Sequence, residues 1–240
     1  MADINPLVED APLPRFSAIE PAHVGPAIDG LMAEYGAAVD ALTASSAPRT
    51  WESVMHAQEV WAERMSRAWA PVSHLHSVRD TPELRKAYGD TLERITDFET
   101  ELGQNRALYQ AVQAVADSPE FARLLPAQRK IVDDALRDFR LSGVALEEPD
   151  RSRFKAIATE LSKLSTEFEQ AVLDATDAWH RDVADESALA GIPEAARAMM
   201  REAAKEAGVE GWRVTLKQPS YVAALTYAQD RSLRSEVYAA

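Results

Sequence analysis

Glu52, His56, Glu59 and Glu63 stand four, three and four residues apart in TWESVMHAQEVWAERM, a spacing that places them on one helical face. Carboxylate and imidazole together could bind zinc or iron. A second helix with matching ligands would have to complete such a site, and none stands out. The same residues read equally as a charged, solvated face opposite the tryptophans. His74 and His76 in PVSHLHSV are two apart, which suits a strand and not a shared helical face. Their segment falls between helices and is expected to be loop or irregular helix, its polar groups making local hydrogen bonds.

Asp174, Asp177 and His180 recur every three residues in LDATDAWHRD. One acid-x-x-His turn is half of a di-iron bundle pattern, which needs two such helices and two further Glu. At the end of a long helix, His180 and Arg181 suit the helix dipole just as well. Glu52, His56, Asp177 and His180 together define one alternative, a metal-binding helical bundle. The common catalytic motifs are missing: no Gly-x-x-x-x-Gly-Lys, no Gly-x-Gly-x-x-Gly, no Gly-x-Ser-x-Gly and no His-Glu-x-x-His. No catalytic, cofactor-binding or metal residue is therefore assigned from the residues.

The elements that would position these groups are helices. PAHVGPAIDGLMAEYGAAVDAL starts on Pro21 and keeps Ile28, Leu31, Met32, Tyr35, Val39 and Leu42 on one face. A second helix opens on Thr50 and spaces Trp51, Val54, Trp61, Met65 and Trp69. In the third, Thr81 caps, Pro82 starts, Leu84, Tyr88, Leu92, Ile95, Phe98 and Leu102 face inward, and Gly103 ends it. DSPEFARLL repeats the Ser–Pro start, and PAQRKIVDDALRDFRLSG closes on Gly143. Phe154, Ile157, Leu161, Leu164, Phe168, Val172, Ala175 and Trp179 advance by threes and fours, which predicts a helix from about Pro149 to Ala178. That helix would be about 45 Å long at 1.5 Å per residue. Its narrow apolar stripe suits one arm of a long antiparallel pair, with the helix ending near Gly143 as the other arm.

Only GWRVTL alternates with period two, so it reads as a strand. Its partner is expected in HRDVADE, with a helix over PEAARAMMREAAKEAG inserted between them and ended by Gly208. The fold class is all-α: a multi-helix N-terminal lobe, a long antiparallel helix pair and one small two-stranded ribbon. Residues 1–145 would form the helical domain, 146–218 the long helix with the ribbon and inserted helix, and 219–240 the start of a further region.

The chain has 240 residues, 46% hydrophobic and 27% charged, a composition that fits a soluble globular protein. No apolar run approaches the length a membrane helix needs, and no secretory signal opens the chain. With no cysteine, disulfides, thiolate zinc sites and cysteine nucleophiles are excluded. A net charge of −13 argues against nucleic acid, whose binding depends on Lys and Arg.

Six blocks carry a resemblance: NPLVEDAPLPRFSAIEPAHVGPAID, RAWAPVSHLHSV, ELGQNRALYQA, ALRDFRLSGV, VLDATDAWHRDV and GWRVTLKQPSYVAALTYAQDRSLRSEVY. In this order they resemble the N-terminal part of the thimet-oligopeptidase family of zinc metallopeptidases. Asp230 and His76 depart from the family's commoner Asn. The resemblance implies a helical two-lobed enzyme with a channel between the lobes. It also implies zinc held by a His-Glu-x-x-His helix and a later Glu, none of which matches a position in these 240 residues. Implied too are short peptides as substrates, signal-peptide fragments among them, a cytoplasmic location, and a catalytic region as the missing partner. The chain is then expected to be cut, to carry no cofactor itself, and to supply a wall of the channel. An autonomous helical interaction module is the competing reading. The segment after Pro219 is expected to be the least stable, with Tyr221, Leu225, Tyr227 and Tyr238 short of neighbours.

Overall fold

Proline opens the first helix. In the computed structural model, which describes residues 4–79 and 81–240, α1 spans Pro21–Ala44, and Glu20 N–H donates to His23 Nδ1 at 3.0 Å to close its first turn. A π-helical turn, Trp51–His56, runs directly into α2, Ala57–Val78. Thr50 Oγ1 caps that turn by accepting from Ser53 N–H. Helix α3, Pro82–Gly103, is capped by Thr81, whose Oγ1 accepts from Leu84 N–H at 3.2 Å. Helix α4, Arg106–Ala116, starts on Asn105, whose Oδ1 accepts from Leu108 N–H at 3.0 Å. Helix α5 covers Pro126–Leu141 and the long α6 covers Asp150–Ala178.

The remaining elements are β1, His180–Val183, then α7, Glu194–Glu206, β2, Trp212–Thr215, α8, Gln218–Tyr227, and α9, Arg231–Ala239. The strands pair antiparallel, His180 opposite Thr215 and Val183 opposite Trp212. The expected class stands: helices throughout, with one two-stranded ribbon around an inserted helix.

The chain forms two compact units, Met1–Leu164 and Ser165–Ala240, with α6 running through the division. In the first unit Val24, Ile28 and Leu31 of α1 pack with Ala68, Val72 and Leu75 of α2 and with Leu84, Tyr88 and Ile95 of α3. A second patch joins Val54 and Met55 to Val112 and Val115 of α4 and to Val132 and Leu136 of α5. Each fully buried Val or Leu among these contributes about 1.5–3 kcal/mol by leaving water. In the second unit Val183, Leu189, Met200, Trp212, Val214, Ala224, Leu233 and Val237 form the core.

Several local expectations change. Helix α2 does not stop near Trp69 but continues past Pro71 to Val78, so of the two expectations for His74 and His76, loop or irregular helix, it is a helix that holds them, and a regular one. A proline inside a helix forfeits one backbone bond, yet Pro71 is buried and Val72 and Leu75 beside it are core residues, so packing offsets the loss. DSPEFARLL forms only a short turn at Phe121–Arg123, whereas α4 lies just before it.

The antiparallel neighbour of α6 in the first unit is α3, not the helix that ends near Gly143. Thr96 meets Ser162, Asp97 meets Thr159, Glu101 meets Lys155 and Gln104 meets Arg151, one chain rising as the other falls. These contacts are polar. The apolar row of α6 faces water instead, with Leu161 59% and Phe168 70% exposed. The segment after Pro219 is better packed than expected: Ala223, Ala224, Leu233 and Val237 are core, and Tyr221 and Leu225 rest against them. Tyr227 and Tyr238 stay exposed, as does Val222.

Candidate functional site

Strand alternation builds the most chemically varied cleft of the second unit. Opposite residues of an antiparallel pair share a face, so His180 lies with Thr215 and Asp182 with Arg213 on one side of the ribbon. Val183, Trp212 and Val214 take the other side and are buried. Lys217 lies two residues beyond Thr215, outside β2, in the bend that leads into α8. A cleft of about 570 Å³ opens here, lined by His180, Arg213, Thr215 and Lys217, by Asp177 of α6, and by Met199, Ala203 and Glu206 of α7.

Asp182 accepts from Arg213 Nε at 2.7 Å and Nη2 at 2.9 Å. These bonds hold its carboxyl below the usual carboxylate range, and the charge of Arg213 adds to the effect. Lys217 Nζ stands 3.4 Å from Asp177, both side chains being more than half exposed. His180 Nε2 is 3.9 Å from Asp182, too far for a hydrogen bond.

The Asp-x-x-His turn expected over Asp177 and His180 does not exist as a helical turn. Helix α6 ends at Ala178, and His180 begins β1, so the two residues leave different elements. They nevertheless line the same cleft. Asp174 is not among its lining residues. Arg213 was the signal missed in the sequence: the alternation that marks GWRVTL as a strand also puts this cation on the face of His180 and Asp182.

The other candidates separate. Glu52 and Glu59 stand 3.9 and 3.7 Å from His56, and all three side chains are about half exposed or more. This is a solvated face; Glu63 instead lines a different cleft, of about 610 Å³, between α2 and the N-terminal arm. His74 belongs to that cleft too, its ring 5.5 Å from Phe16. His76 is 6% exposed and stacks on Tyr88 of α3 with centroids 4.1 Å apart. Among the described residues no three His, Asp or Glu side chains converge as metal ligands would. Glu52, His56, Asp177 and His180 therefore do not form one centre.

Elsewhere in the first unit, burial raises the Glu99 carboxyl, and burial together with Glu99 raises the Tyr35 phenol. No partner group completes a catalytic set around them among the described residues.

The family model of the neurolysin/thimet oligopeptidase N-terminal domain matches residues 28–151, just over half of the chain. The chain belongs to the neurolysin/thimet oligopeptidase family. It is 42% identical over 236 residues to oligopeptidase A of Salmonella typhimurium, covering 98% of this chain and 35% of the relative. Oligopeptidase A of Escherichia coli is 41% identical over the same extent. Organellar oligopeptidase A of Arabidopsis thaliana is 34% identical, covering 98% of this chain and 31% of the relative. The chain thus spans about a third of the length of these thimet-oligopeptidase relatives. The oligopeptidase matches run through α6 and the ribbon as well as the helical region that the family model describes.

Proposed function

We propose that this chain is the N-terminal channel-wall region of a zinc metallo-oligopeptidase acting on short, unfolded peptides in intracellular turnover, signal-peptide fragments included. One observation carries the reading: 42% identity to an oligopeptidase A, sustained across 98% of the chain. The residues in hand do not fit a zinc centre, since no three candidate ligands converge among the described residues. Zinc and the groups that hold it are assigned to the rest of the protein, and no reaction step is routed through this chain.

The chain's own part is steric. Helices with dry cores, such as the Val24–Ile28–Val72 patch, resist deformation and give a wall of fixed shape. A wall of that kind admits an extended peptide and excludes a folded domain. The acidic composition suits a role without nucleic acid.

The exposed row Leu161, Leu164 and Phe168 supports a second reading, an autonomous helical interaction module. Assay of the longer protein separates the two. A quenched fluorescent nonapeptide should be cleaved with sensitivity to a zinc chelator, while a folded domain carrying the same sequence in a surface loop should resist. Absence of peptide cleavage by the longer protein favours the module.

A further inference from the structure

We draw no further inference here: the strongest candidate, the exposed apolar row of Ile157, Leu161, Leu164, Phe168 and Val172 along α6, is an unpartnered helix face, and nothing in the structure shows what covers it.

Discussion

Asp182 and Arg213 face each other across the ribbon and share a two-point bond, Nε to Oδ1 at 2.7 Å and Nη2 to Oδ2 at 2.9 Å. The pair clamps β1 to β2 on their solvent side, while Val183 and Trp212 hold the other side in the core. The Asp182 pKa is lowered in the folded chain, so the unfolded state takes up its proton first as pH falls. The clamp's stabilisation is present above the ordinary carboxylate range of about 4 and fades as pH drops through the lower folded value. Asp182→Asn should lower the melting temperature at pH 7 and lessen its fall between pH 5 and about pH 3. Thermal melts across that range check both; a variant that tracks the unaltered chain at every pH contradicts the clamp.

A second prediction concerns the ring stack under the first unit. Tyr88 lies against Trp69 at 4.8 Å and against His76 at 4.1 Å, close to parallel with each. Tyr88→Ala should cost about 3–5 kcal/mol, as loss of a buried aromatic ring does. His76 Nε2 has no hydrogen-bond partner among the described residues, so His76→Phe should retain the stack with little loss. Urea melts give both numbers. Destabilisation by His76→Phe as large as that of Tyr88→Ala would show that the imidazole does more than stack.

The third prediction follows from the turn into β2. Gly211 has φ of +96°, and a Cβ there would lie 2.3 Å from the Val183 carbonyl oxygen. The backbone conformation alone costs an L residue about 1–3 kcal/mol, and the clash adds to it. Gly211→Ala should unpair Val183 from Trp212 and speed hydrogen exchange along β1 and β2, leaving α1 to α5 unchanged. Exchange unchanged in the strands would contradict this account of the turn.

Much of the fold was legible in the sequence, and the failures are informative. Thr81–Pro82 and Pro21 mark helix starts because cap chemistry is local. The ribbon could be read because Trp212 and Val214 alternate with Arg213 and Thr215 against a single core. The continuation of α2 through Pro71 was not legible because tertiary packing around Val72 and Leu75 overrules the local cost of a proline. The partner of α6 could not be read from apolar periodicity. Its contacts to α3 are made by Ser162, Thr159, Lys155 and Arg151, outside the row that the pattern follows. Of the candidate cleft, Asp177 and His180 were visible as chemistry but were joined by the wrong geometry. Arg213 went unread because no helical spacing relates it to His180; only the strand register does.

Turnover by the 240-residue chain alone tests the central claim most directly. With zinc added and a quenched fluorescent oligopeptide as substrate, the account predicts no cleavage above buffer. Chelator-sensitive cleavage that co-purifies with the chain through successive columns would contradict it.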